Sequence, residues 1–140
     1  MLKNIPAILS PGLLKTLMEM GHGDELVISD GNFPAASHTK NLIRADGHGT
    51  AEILRAVLSL FPLDTFVQQP VVLMNVPAGS EEPPIWVEYA KIIEEFEPGR
   101  EIVLTERFAF YERARQAYAI VATGESALYA NIILKKGVVN

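Results

Sequence analysis

Nine prolines and ten glycines punctuate this chain at short intervals, and the segments between them switch between helical and strand periodicity. Few architectures accommodate that alternation. Ser10-Pro11 reads as a helix start, because a serine oxygen accepts a free backbone N–H and proline occupies a position that needs none. Leu13, Leu14, Leu17 and Met18 form the inward stripe predicted for that helix, and Gly21 ends it. Residues 25–29, Glu-Leu-Val-Ile-Ser, then read as a short buried strand that delivers Asp30 at its carboxyl end, the edge where α/β folds hold ligands. Further strands are predicted over 41–45, 101–104, 117–122 and 128–134, with 66–76 extended and broken by Pro70. Helices are predicted over 50–60, with Ile53, Leu54, Val57 and Leu58 inward, over 85–96 after Pro83-Pro84, and over 105–116. Strands alternating with helices call for helices on both faces of a sheet. The expected fold is therefore α/β, a three-layer α/β/α arrangement of one domain spanning residues 1–140. Only the short link 123–127, with its Thr123-Gly124-Glu125 turn, separates the last two strands, which predicts that they pair antiparallel in a mixed, mostly parallel central sheet.

Charge and composition narrow the function. Twelve Lys and Arg stand against 17 Asp and Glu, a net charge of -5, with the basic residues scattered among acids. Phosphate backbones are recognised by clustered cations, so nucleic acid is excluded as a partner. Pro6, Pro11, Lys15 and Glu19 interrupt the N-terminal apolar stretch far short of the ~20 residues that a membrane span requires, so no membrane partner is expected. A chain of 140 residues without a single cysteine needs no disulfide staple, and the expected location is cytoplasmic.

No phosphate-cradling glycine loop, dinucleotide fingerprint, nucleophile elbow or thiol nucleophile is present, and the dispersed histidines lack metal-ligand spacing. Proton transfer on a polar small molecule is the chemistry that survives. Histidine exchanges protons near neutrality. His22, in Gly21-His22-Gly23-Asp24, lies just before the strand that delivers Asp30, so the two share a pocket if the loop folds back; the same pattern equally describes an exposed histidine after a helix stop. His48, in Asp46-Gly47-His48-Gly49, reads as a rim residue. Asp30 and Asp64 each sit in a turn, a common place for aspartate in its own right. Arg107 and Tyr111 are four apart and hence on one helical face, able to offer a cation and a hydroxyl to a polyol or simply to form a solvated face. Tyr129 and Asn131, alternate residues of a predicted strand, face together and present a phenol and an amide, groups that both donate and accept as sugar hydroxyls require.

Several motifs occur in a set order: Met20-Gly21-His22-Gly23-Asp24-Glu25, Asp30 with Asn32-Phe33-Pro34-Ala35, Arg44-Ala45-Asp46-Gly47, Glu106-Arg107-Phe108, Phe110 to Ala114, and Ala122-Thr123-Gly124-Glu125 through Asn131. Together they resemble the L-fucose mutarotase and D-ribose pyranase family over nearly the whole chain, nearest its fucose mutarotase branch. The resemblance implies an isomerase that interconverts the α and β anomers of L-fucose, with no cofactor and no metal. It implies His22 as proton donor and Asp30, Arg107, Tyr129 and Asn131 as sugar-binding positions. Tyr111 is similar to a catalytic tyrosine of the animal-type members, and Asp64 to a further site residue there. The pyranase branch tends to have histidine where this chain has Arg107, and many members read Tyr-Gly-Asn where it has Tyr129-Ala130-Asn131. The family forms ring-shaped homo-oligomers, typically decamers, with sites near subunit contacts. D-ribose pyranase activity and a non-catalytic sugar-binding module are the alternatives.

Overall fold

The computed structural model describes residues 1–140, folded into five helices and six strands. Helix α1 (Pro11–Glu19) starts as its sequence predicts, with the Ser10 hydroxyl oxygen accepting the Leu13 N–H at 3.1 Å. Strand β1 (Glu25–Ser29) follows, then a single-turn helix α2 (Ala35–His38), strand β2 (Leu42–Ala45) and helix α3 (Thr50–Leu58). Strand β3 (Val71–Met74), helix α4 (Ile85–Phe96), strand β4 (Ile102–Thr105), helix α5 (Arg107–Gln116), strand β5 (Ala119–Thr123) and strand β6 (Ile132–Lys135) complete the chain.

The strands form one sheet in the order β2-β5-β1-β6-β3-β4. β5 runs parallel to both β1 and β2, and β3 runs parallel to β4. β6 enters between β1 and β3, antiparallel to each, with Ile133 opposite Val27 on one side and Val72 on the other. The sheet is thus mixed and mostly parallel, but the expected β5–β6 pair does not form. The connection from residue 124 to 131 is long enough to carry the chain across β1, so the last two strands flank β1 instead of meeting.

Alternation along the strands divides the core in two. On one face Leu26, Ile28, Leu73, Ile132 and Leu134 pack with Leu13, Leu17, Ile53, Val57, Tyr89 and Ile93 of α1, α3 and α4. On the other, Val27, Val72, Ile120 and Ile133 pack with Phe33, Ala35, Phe110 and Ala114 from α2, α5 and the turn before α2. Helices cover both faces, which is the three-layer arrangement expected. No helix is long and apolar enough to cross a membrane.

Three local expectations are corrected. Met18 is 88% exposed because it lies about 100° round the helix from Leu17, off the face on which Leu13, Thr16 and Leu17 are buried. Of the predicted extended stretch 66–76, only Val71–Met74 is strand, since Pro70 supplies no N–H to a ladder and leaves the preceding residues in a loop. The predicted strand over 128–134 begins only at Ile132; Tyr129 adopts a left-handed backbone at φ 55° and cannot belong to it. Gly124, at the end of β5, passes so close to the Asp46 backbone that a β-carbon there would overlap the Asp46 carbonyl. Ile132→Ala, at the centre of the sheet, should lower unfolding free energy by about 2–5 kcal/mol, and Met18→Ala should change it by less than about 0.5 kcal/mol, both read from urea denaturation.

Candidate functional site

The carboxyl ends of all five parallel-running strands and the amino end of β6 share one edge of the sheet, and most of the polar candidates gather there. Asp30 follows β1 and is buried. Its Oδ1 accepts the Asn32 N–H at 3.0 Å and its Oδ2 the Ala130 N–H at 3.3 Å, while its own N–H donates to Asn131 Oδ1 at 2.8 Å. Because a backbone N–H donates to that Asn131 atom, it is the amide oxygen, which leaves the amide nitrogen as a donor. Burial pushes the Asp30 carboxyl above its ordinary value, an effect that the N–H groups of Asn32, Ala130 and Phe33 only partly offset.

Beside this pair, a cleft of about 300 Å³ is lined by Asn75, Val76 and Pro77 after β3, by Glu106, Arg107 and Phe108 at the start of α5, and by Tyr129. Arg107 is the first residue of α5, where a cation opposes the helix dipole and costs about 0.3–1 kcal/mol. Glu106 relieves part of that cost. Its carboxylate caps the helix by accepting the Ala109 N–H at 3.1 Å, and the N–H groups of Phe108 and Ala109 hold it below its ordinary value. The guanidinium lies over the Phe108 ring, 4.7 Å from its centroid. The arginine thus stands at the mouth of the polar cleft.

His22 and Asp64 lie at the opposite edge of the sheet. The Gly23 N–H donates to the Lys136 carbonyl and the Asp64 N–H to the Lys135 carbonyl, which anchors both loops to the far end of β6. The His22 ring nitrogen Nε2 is 3.0 Å from Asp64 Oδ1, and the ring stands 4.9 Å from that of Phe66, which is 74% exposed. Asp64 is 2% exposed, and its Oδ1 also accepts the Phe66 N–H at 3.0 Å. Burial pushes its carboxyl up, but the Phe66 N–H and the imidazole outweigh burial and hold it below its ordinary value. An ionised carboxylate only accepts, so the imidazole Nε2 is the donor in this contact and Nδ1 takes no part in it. This is a histidine oriented by an aspartate, the arrangement general acid–base chemistry uses.

The structure therefore gathers Asp30, Arg107, Tyr129 and Asn131 at one edge and His22 with Asp64 at the other, and the expectation that His22 and Asp30 face one pocket fails within a single chain. The five residues of β1 lie between them, at ~3.3 Å each a separation of roughly 16 Å. Tyr111 joins neither group. One helical turn from Arg107, it packs against Phe33 and His38 at 5.4 and 5.3 Å between ring centroids, on the α2 side of the sheet. His48 lies on the surface 3.4 Å from Glu52, as a rim residue should. Asn75 and Phe66 went unnoticed in the sequence, the first because it looks like a strand terminus and the second because it looks like part of an apolar run.

Comparison with known proteins places the chain in a family. Residues 3–139 match the RbsD / FucU transport protein family. The chain belongs to that family. Human fucose mutarotase is 51% identical over 144 residues, covering 98% of this chain and 94% of the human protein. Among solved structures of the family, the fucose mutarotase of Streptococcus pneumoniae in complex with L-fucose superposes with a TM-score of 0.94 at 53% identity, covering 99% of this chain and 100% of that one. FucU from Bifidobacterium longum superposes with a TM-score of 0.93 at 56% identity over the same shares of the two chains. The mixed sheet and its helices are thus the family fold.

The lowered Asp64 carboxyl has a testable consequence. A group depressed in the folded state stabilises above its unfolded value, about 3.9 for aspartate, and loses that contribution as pH falls through the folded value. Urea unfolding from neutral pH downward should show wild type more stable than Asp64→Asn by an amount that is constant near neutrality and shrinks below about pH 4.

Proposed function

We propose that this chain is an L-fucose mutarotase, a cofactor-independent isomerase that interconverts the α and β anomers of the sugar. About half of its residues are identical to those of fucose mutarotases over nearly the full length, and a relative of matching fold carries L-fucose in its name. The reading extends to the whole of residues 1–140 as one mutarotase unit and carries over the cytoplasmic location expected from the sequence.

The reaction needs two proton transfers. One group removes the proton of the anomeric hydroxyl while another protonates the ring oxygen; the bond from the anomeric carbon to the ring oxygen breaks as the carbonyl forms, and reclosure on the other face reverses both transfers. His22, oriented by Asp64, is the acid–base group of this reading, acting through Nδ1. Asp30, Arg107, Tyr129 and Asn131 hold the hydroxyls: a buried carboxylate accepts, a guanidinium and an amide nitrogen donate, and a phenol does both. Such positioned acid–base groups contribute about 10²- to 10⁴-fold each, enough for a reaction that already proceeds in water.

The observation that shapes the proposal is the separation of the two groups across the sheet. A monosaccharide is far smaller than the roughly 16 Å that β1 puts between them. The site is therefore completed between copies, with the His22 edge of one subunit facing the Asp30 edge of the next. Exposed Phe66 beside His22 and exposed Phe108 and Leu128 near the cleft are apolar surface of the kind such contacts cover. The family resemblance gives this assembly as a decameric ring. Tyr111 is assigned to the site on the same basis, reached through a neighbouring subunit.

Proton NMR should show faster exchange between the anomers of L-fucose with wild type and no acceleration with His22→Ala, and D-ribose run in parallel tests the pyranase alternative. His22→Ala and Asn131→Ala, each impaired when assayed at sugar concentrations below the wild-type KM, should regain activity when refolded together, because mixed rings contain some intact junctions. No recovery on mixing would place both groups in a single chain's site and overturn the shared-site reading.

A further inference from the structure

The turn that carries Tyr129 and Asn131 is held from behind by a helix that lines no part of the cleft. Trp86 and Tyr89 are three apart on α4, so they project from one face, and they are 7% and 0% exposed. The Trp86 indole N–H donates to the Tyr129 carbonyl at 2.9 Å, and the Tyr89 hydroxyl donates to the Ala130 carbonyl at 2.6 Å. A carbonyl can only accept, so the single phenolic proton goes to Ala130, while the one Thr50 hydroxyl proton lies between two acceptors, the Tyr89 oxygen and Glu125 Oε2 at 3.3 Å. The Thr50 N–H donates in turn to Glu125 Oε2 at 3.2 Å, and the Glu125 carbonyl accepts the Gly31 N–H at 2.8 Å. From the other side the turn is held by Asp30, through the Ala130 N–H and the Asn131 amide.

Tyr129 needs this grip. It is a non-glycine residue at φ 55°, a backbone state that L residues avoid and that persists only where the surroundings over-determine it. Two consecutive carbonyls, each tied to a rigid aromatic donor, orient the peptide planes on either side of Ala130, the first of which leads directly out of Tyr129. Burial keeps the Tyr89 phenol protonated well beyond the physiological range, so it acts as a fixed donor and takes no part in proton exchange.

We propose that Trp86 and Tyr89 are positioning residues for the sugar: by fixing the carbonyls of Tyr129 and Ala130, they set where the Tyr129 phenol and the Asn131 amide meet its hydroxyls. The proposal rests on the reading that Tyr129 and Asn131 contact the sugar. A group that positions hydroxyl contacts made equally in ground and transition states acts on KM and leaves kcat nearly alone.

The test measures KM and kcat for L-fucose anomer exchange by NMR on the assembled full chain, well below the melting temperature of each variant. Tyr89→Phe should raise KM on the order of tenfold with kcat within about twofold of wild type, because a buried carbonyl loses its donor without loss of ring volume. Ile93→Val, about 6 Å beyond Tyr89 along α4, should lower melting temperature yet leave KM at the wild-type value. Wild-type KM in Tyr89→Phe, or a KM that rises equally in Ile93→Val, overturns the proposal. Should Tyr89→Phe fail to fold, Trp86→Phe takes its place under the same criteria. Asn131→Ala separates the two levels of inference. If it binds like wild type, the assignment of the sugar-binding edge fails and the positioning role with it; if it loses binding while Tyr89→Phe does not, only the positioning role is lost.

Discussion

The sheet is continuous only because its last strand is inserted in its middle. β2, β5 and β1 form one parallel block and β3 with β4 another, and no ladder joins the blocks except through β6. β6 is buried on both faces, with Ile132, Ile133 and Leu134 inaccessible to solvent, so it unites the two hydrophobic clusters as well as the two blocks. Such a strand comes last in sequence yet is needed for the core to close, which makes closure a long-range event and puts the chain among folds with many non-local contacts. The Asp30 edge takes part of its geometry from this insertion: Asn131 precedes β6 directly, and its amide meets Asp30 because β6 pairs with β1.

Electrostatics then differentiates the two edges. Asp30 and Asp64 are both buried aspartates that accept backbone N–H groups, yet they shift in opposite directions. Desolvation wins at Asp30. At Asp64 the imidazole of His22 adds an interaction that favours the charged form, and the balance reverses. The ionised Asp64 fixes which nitrogen of His22 carries the proton, while Asp30 stays a compact acceptor beside an arginine, a phenol and an amide. Two carboxylates of one chemical type thereby differ in charge preference through their neighbours.

Much of this was legible along the chain. Helix α1 announced itself in Ser10-Pro11, α4 in Pro83-Pro84, and β1 in its unbroken apolar run, because capping and burial are local consequences of residue type. The candidate residues were legible mainly through ordered motifs resembling a family; residue chemistry alone left His22, Asp30 and Arg107 each with an ordinary reading beside the functional one. What misled was also physical. Tyr129-Ala130-Asn131 has the look of a strand beginning, but Tyr129 is left-handed in a turn whose carbonyls bond to Trp86 and Tyr89 and whose other side bonds to Asp30. Met18 completes a helical stripe on paper, but a helix of nine residues packs one narrow face and leaves it outside.

By itself the sequence determined the layered α/β class, the alternation of buried and exposed positions, the positions of most elements and the chemical inventory of a proton-transfer site without thiols. These follow from backbone sterics, periodicity and side-chain type, which act within a few residues. Strand order, the central place of β6, the union of Asp30 with Asn131, the pairing of His22 with Asp64 and the separation of those two groups were decided only by the tertiary structure. Each depends on which distant segments come to lie side by side, and that is settled by how two apolar faces of one sheet are buried together, a property of the whole chain that no short stretch of it contains.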